Sequence, residues 1–182
     1  MNNTMWNIDA AHTGIHFSVR HMVVSKVRGR FGKHSGTITL DDADITRSSV
    51  EVSIDASSID TGVADRDTHL RSPDFFDVEK FPELHFGSKR IEQVEDARYR
   101  VVGDLTIRGV IREVALDVEY GGRGKDPWGN ERVGFVAKTS IDRKEFGLTW
   151  NQLLETGGIL VGDRVDIELD IQAVRAAAQS AA

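Results

Sequence analysis

The dominant period along this chain is two. Near its C-terminus Val165, Ile167, Leu169, Ile171 and Ala173 alternate with Asp166, Glu168, Asp170 and Gln172. That pattern predicts a strand with one buried and one wet face. The alternation recurs at Ile15/Phe17/Val19, Val27/Gly29/Phe31, Ile38/Leu40, Val50/Val52/Ile54 and Leu84/Phe86/Ser88. It continues through Val101/Gly103/Leu105/Ile107, Val114/Leu116/Val118/Tyr120 and Val133/Phe135/Ala137/Thr139/Ile141. These runs amount to about eight or nine strands, a number compatible with a closed barrel. Apolar residues on one face only exclude a parallel α/β sheet, whose strands are apolar on both.

The breaks between runs are rich in Gly, Asp and Asn: "LDDADIT" (40–46), "VEDAR" (94–98), "RGV" (108–110) and "GGRGKDPWGNER" (121–132). Their short spacing favours an up-and-down meander over a Greek key. The expected fold is therefore an all-β antiparallel barrel, one domain over residues 1–174, with an Ala-rich tail at 175–182. If the register is right, Phe17, Leu105, Phe135 and Ile167 point inward together, since a one-residue slip would turn a whole strand outward.

Two segments leave the period. In "SIDTGVADRDTHLRSPDFFDVEKFP" (58–82), Thr61 is placed to cap a short helix that ends before Pro73. Pro73 then suits the first turn of a second helix, "PDFFDV". The second segment, "FGLTWNQLLETGG" (146–158), reads as a strand end, a helical turn and a Gly-Gly exit. These are the expected lids, and they hold Phe75, Phe76, Phe81, Phe146 and Trp150. Trp6, Trp128 and Trp150 are expected as barrel plugs or turn anchors, with Trp128 exposed in its hairpin.

Composition narrows the function. A net charge of −6 disfavours nucleic acid, which needs a basic face to displace counterions. The absence of cysteine removes disulfides, thiolate zinc sites and cysteine nucleophiles. No apolar run is long enough for a transmembrane helix. The start "MNNTMWNIDAAHTG" has neither the basic nor the apolar region of a signal peptide, so a cytoplasmic location is expected if Met1 is the native start.

Catalytic and metal motifs are sparse. On a strand His12 and His16 lie about 13 Å apart, too far to share an ion at zinc–nitrogen bonds of about 2.1 Å. "GKHSG" (32–36) is neither a nucleophile elbow nor a P-loop, and "DDAD" (41–44) reads as a hairpin turn. No metal, cofactor or catalytic set is expected. On the first lid, Arg66, His69 and Leu70 share a helical face, while Asp67 and Arg71 can pair on another. This is either a surface helix anchored by Leu70 or a cationic pair placed for an anionic group at the barrel mouth.

"WNIDAAHTGIHFSVRHMVVSKVRGRFGKHSG" resembles the opening of the YceI-like family of polyisoprenoid-binding, lipocalin-like proteins. The likeness continues through "SIDTG…RDTHLRSPDFFDVEKFPELHF", "VVGDLTIRGV" and "DRKEFGLTWNQLLETGGILVGDRVDIELDIQA". It spans essentially the whole chain, in order. The resemblance implies an elongated barrel around a hydrophobic channel that holds a polyprenyl chain, with the lipid's polar end at the mouth. By position, the implied tail-binding residues are Phe17, Phe86, Leu105, Ile107, Phe135 and Phe146. The implied mouth residues are Arg66, Asp67, His69, Phe75, Phe76 and Trp150. Many family members carry a signal peptide and this chain shows none, so a role outside the cytoplasm is not implied. The small interior positions Gly103, Ser88 and Ala137 are expected to leave room in the lumen.

The expected function is binding of a long isoprenoid lipid, a polyprenyl diphosphate or a prenylated quinone, for storage, transport or sequestration. Two alternatives stand beside it: an enzyme acting on an isoprenoid or ester with Arg66, Asp67 and His69 as acid/base groups, and a structural barrel with a filled core. A homodimer is the expected assembly, on the general prevalence of two-fold symmetry.

Overall fold

The computed structural model describes residues 3–154 and 160–177. Its strand segments are β1 (Asn3–Ile8), β2 (Gly14–His21), β3 (Ser25–Phe31), β4 (His34–Asp41), β5 (Ser49–Asp55) and β6 (Ile59–Asp60). Helix α1 (Ala64–Arg71) follows, then β7 (Glu83–Glu95), β8 (Arg98–Ile107), β9 (Val110–Lys125), β10 (Glu131–Asp142) and β11 (Val161–Arg175). These segments form fewer staves than their number suggests. β1 and β2 lie end to end along β11, pairing with Ala173–Arg175 and with Val161–Asp170 respectively. β3 and β4 repeat this against β2 and β1, and β6 and β5 against β3 and β4. Three broken staves and five continuous ones make an eight-stranded antiparallel barrel. Each stave pairs with the next in the chain, and β11 closes the ring on β1 and β2. The up-and-down reading holds.

Local polar chemistry makes the breaks. Asp9 accepts from Ala11 N at 3.1 Å and starts a 3-10 turn over Ala10–His12. Asp55 accepts from Ser57 N at 2.9 Å and starts another over Ala56–Ser58. Side-chain acceptors of this kind offer the backbone an alternative to the ladder.

Phe17, Leu105, Phe135 and Ile167 do face one interior, with Phe17 directly opposite Ile167. One end of that interior is plugged. Trp6, fully buried, packs there with Ile38, Leu40, Val133 and Ala173. Its indole donates to Thr4 Oγ1 at 2.8 Å, and Arg123, ion-paired with Asp42, lies 5.2 Å from the ring centroid. Trp6 is the plug the sequence suggests. At the opposite end stand the β2–β3 hairpin, residues 56–82, the β8–β9 turn and the segment leading into β11. Both expected lids therefore share one end.

Several local expectations are corrected. Glycines in "GGRGKDPWGNER" belong mostly to strands, because β9 runs to Lys125 and β10 begins at Glu131. The register slips at Gly134/Phe135 opposite Gly122, whose φ of 108° only glycine adopts readily. The turn proper is confined to 126–130, with Trp128 82% exposed. Thr61 does not cap α1. Val63 holds the cap position without a side-chain bond, and Asp67 reaches back to Thr61 N at 2.9 Å and Thr61 Oγ1 at 2.5 Å.

"PDFFDV" is not a helix but a series of turns. Phe75 N and Asp77 N both donate to Ser72 O, and Asp77 sits at φ 48°. Gly103 leaves no lumen, since the Phe86 ring fills the space: a Cβ there would lie 2.7 Å from Phe86 Cζ. The helical turn of the second lid comes earlier than expected, at Arg143–Phe146. The Gly157–Gly158 exit and most of the Ala-rich tail lie outside the described residues.

Candidate functional site

Between the plug and the lids lies a cavity of about 360 Å³, within the usual range for sites that enclose a small molecule. On β11 its wall runs from Ile171 through Leu169, Ile167 and Val165 to Val161. Ten residues at about 3.3 Å each, tilted by roughly 40°, give a channel about 25 Å long. Because every stave contributes alternate residues, the wall is almost wholly aliphatic and aromatic.

Of the residues expected to contact a tail, Phe17, Phe86, Leu105, Ile107 and Phe135 are on this wall. Phe146 is not. It is 1% exposed and packed into the surrounding core, because the 3-10 turn over Arg143–Phe146 directs it behind the wall rather than into the space.

The two lids meet in aromatic contacts. His69 of α1 stands edge-on to Trp150 at a centroid distance of 4.6 Å and to Phe75 at 5.1 Å, and Phe75 lies 5.4 Å from Trp150. A second chain of rings, Phe17–Phe31–Phe76, descends into the channel at 5.6 and 5.8 Å. Arg108, at the tight β8–β9 turn, donates to Phe75 O at 2.9 Å and so fastens the first lid to the barrel.

Arg66, His69, Phe75, Phe76 and Trp150 all border the cavity, together with Leu70. Arg66 donates through Nε to Thr61 Oγ1 and through Nη2 to Thr61 O, both at 2.7 Å. Among the described residues it has no carboxylate partner, so three of its five N–H bonds remain for another acceptor. Asp67 departs from expectation. It is 7% exposed and absent from the cavity wall, its carboxylate committed to Thr61. His69 Nε2 lies 2.9 Å from Asp74 Oδ2. Arg66 and Asp67 therefore both engage Thr61 while His69 turns to Asp74, so the three do not form one acid/base cluster. Arg71 donates to Ser57 O and Ile59 O rather than pairing with Asp67.

Arg143 and His34 are among the polar wall residues that sequence reading missed. Arg143 is only 3% exposed, yet its guanidinium donates to Gly162 O (2.8 Å), Leu148 O (2.5 Å), Trp150 O (2.9 Å) and Val161 O (3.3 Å). It thereby ties the second lid to the start of β11. Burial pulls its pKa below the usual arginine value, with Asp163 and Asp142 opposing. Nothing in "DRKEF" separates it from a surface arginine.

The second is His34, whose Nδ1 is buried without a hydrogen-bond partner among the described residues. Burial holds its pKa below the usual histidine value against a bond involving the Thr13 backbone.

Comparison with known proteins agrees with this architecture. A family model described as a YceI-like domain matches residues 6–173. A UPF0312 protein of Staphylococcus epidermidis is 40% identical over 166 residues, covering 91% of this chain and 94% of that one. The crystal structure of Burkholderia cenocepacia BcnA superposes with a TM-score of 0.80 at 25% identity, covering 91% and 98%. A Campylobacter jejuni YceI protein gives 0.74 at 30%, covering 87% and 90%. A polyisoprenoid binding domain from Saccharophagus degradans shares the fold, with a TM-score of 0.66 at 15% identity over 94% and 98% of the two chains.

Proposed function

The chain belongs to the YceI-like domain family, and on that premise we propose that it binds one long isoprenoid lipid inside the barrel, for storage, transport or sequestration. The observation that carries this reading is an apolar channel, plugged at one end by Trp6 and bordered at the other by Arg66 and an aromatic lid. A long hydrocarbon matches the length and lining. The cation at the mouth favours a polar or anionic end, as in a polyprenyl diphosphate or the head of a prenylated quinone. The polyisoprenoid binding domain among the fold relatives is in keeping with this ligand class.

The test is organic extraction of freshly purified protein followed by mass spectrometry. The reading expects an isoprenoid in near-stoichiometric amount. An empty barrel that also fails to take up added polyprenyl lipid would overturn it, and would return the molecule to a structural barrel with a spare cavity.

A further inference from the structure

The β2–β3 hairpin ends in three consecutive apolar residues that stand exposed among the described residues. Met22 is 49%, Val23 61% and Val24 91% exposed. Met22 and Val23 sit at φ 54° and 67°, a conformation that hairpins ordinarily assign to Asn or Gly and that is costly for a β-branched side chain. A polar Asn-Gly tip would make the same turn with less strain and no exposed apolar surface. The tip continues onto the second lid: Met22 N donates to Leu160 O at 2.9 Å, and Leu160 N to Gln152 O at 2.9 Å. Beside Gln152 stands Leu153, 81% exposed. This apolar platform adjoins the channel mouth, since His21, Leu160 and Val161 border the cavity.

Charge on the hairpin itself is one-sided. Between Asp9 and Asp41 the chain carries Arg20, Lys26, Arg28, Arg30 and Lys33 and no acidic residue, within a protein of net charge −6. Arg20 lies directly opposite Lys26 across the hairpin, and Arg28 opposite Ser18 on the same face. Like charges directly opposite one another destabilise a sheet. Among the described residues Arg20, Lys26 and Arg28 have no salt-bridge partner. Asp166, opposite Ser18 on β11, is bonded to Ser140 and Arg164 and feels Lys26 only through space, while Arg30 is paired with Asp60.

We propose that this hairpin docks the barrel on an anionic lipid bilayer. The Met22–Val24 tip and Leu153 enter the headgroup boundary, and Arg20, Lys26 and Arg28 meet lipid phosphates. The channel mouth then faces the membrane from which a lipid is taken or to which it is returned. An apolar tip beside basic residues is the combination that holds peripheral proteins at such surfaces. The inference deepens the lipid-binding reading and rests on it, but the two fail separately, because vesicle binding is read without reference to cargo.

The experiment is co-sedimentation of the full chain with vesicles of phosphatidylcholine alone and of phosphatidylcholine with phosphatidylserine, at low and high salt. Cargo is extracted from the same samples, and the oligomeric state is measured in parallel. Wild type should sediment with the phosphatidylserine vesicles, and less at high salt. Arg20→Gln/Lys26→Gln/Arg28→Gln should weaken that binding by roughly 100-fold, at about fivefold per cation. Val24→Asp should weaken it at least tenfold while its melting curve and bound lipid stay as in wild type. Val24 is almost wholly exposed, so the fold does not depend on it, and Val23→Ser provides a second probe of the tip.

Absence of wild-type binding overturns the proposal, even if the barrel is full of lipid. So does binding that survives both the tip and the charge variants. A wild-type dimer that Val24→Asp converts to monomer, with vesicle binding unchanged, overturns it in favour of a self-interface. Vesicle binding by an empty barrel that takes up no lipid supports docking and removes the cargo reading instead.

Discussion

His69 and Trp150 meet edge to face, their ring centroids 4.6 Å apart and their planes at 88°, although eighty residues of chain separate them. One ring comes from α1 and the other from the segment ahead of β11. Their contact, shared with Phe75, is where the two lids of the barrel become one surface.

Trp150→Ala should loosen that surface without unfolding the barrel. Aromatic pairs of this kind contribute about 0.5–1.5 kcal/mol beyond their buried area. A bound lipid should therefore leave the variant roughly 2- to 12-fold faster, measured by transfer to acceptor vesicles. An unchanged off-rate would mean that the lid junction does not gate the channel.

Arg66 tests the mouth. A charge-assisted bond at a partly wet site contributes about 1.5–3 kcal/mol. Wild type should prefer a prenyl diphosphate over the matching prenyl alcohol by roughly 10- to 150-fold. Arg66→Ala should lose most of that preference while alcohol binding holds, as read by titration calorimetry. Equal losses for both ligands would assign Arg66 to shaping the turn at Thr61 and not to the headgroup.

Arg143 is expected to matter for stability more than any other mouth residue. Arg143→Met removes the donors of four backbone carbonyls, in a buried setting where each unsatisfied group costs about 1–3 kcal/mol. A loss of about 3 kcal/mol or more is expected in urea unfolding, together with faster hydrogen exchange through 148–154. A loss under about 0.5 kcal/mol, the level of an ordinary surface substitution, would show that the second lid is held by other contacts.

Acid should find the plugged end through Asp126. Partial desolvation works to raise its pKa. Bonds from the Arg132 guanidinium, the Asn130 backbone and side chain and the Trp128 backbone outweigh this and bring it from 3.8 down to about 2. The sign follows directly: a carboxyl depressed in the folded state contributes stability that is present above pH 3.8 and is lost as pH falls toward 2. The stability gap between wild type and Asp126→Asn should narrow across that window in acid titrations followed by circular dichroism. A constant gap would remove Asp126 from the account of acid sensitivity.

The barrel was legible in the chain because period-two alternation reports which face is buried, and the continuous staves, such as β10 and β11, show it cleanly. The breaks were harder to see. A strand interrupted by Asp9 or Asp55 looks like two strands, so alternation alone could not join β1 to β2. Gly103 misled for a related reason. An interior glycine looks like empty volume until the neighbouring Phe86 is seen to occupy it. At the site, apolar wall residues such as Leu105 and Phe135 followed from parity. Asp67, Phe146 and Arg143 did not, because their placement depends on turns that sequence spacing cannot orient. Asp67 points back to Thr61, Phe146 behind the wall, and Arg143 into a cage of carbonyls.

The central claim, that the channel itself holds the lipid, is tested most directly by a charge placed on its wall. Phe135→Asp puts a carboxylate opposite Ile171, in place of a ring whose centroid now lies 5.5 Å from that of Tyr120, in surroundings where an isolated ion is strongly disfavoured. Lipid per barrel is measured by extraction and mass spectrometry in wild type and in variant protein whose fold has been verified by circular dichroism. The account predicts about one isoprenoid chain per wild-type barrel and close to none in the folded variant. Equal lipid content in the two proteins would place the lipid somewhere other than this channel and contradict the account.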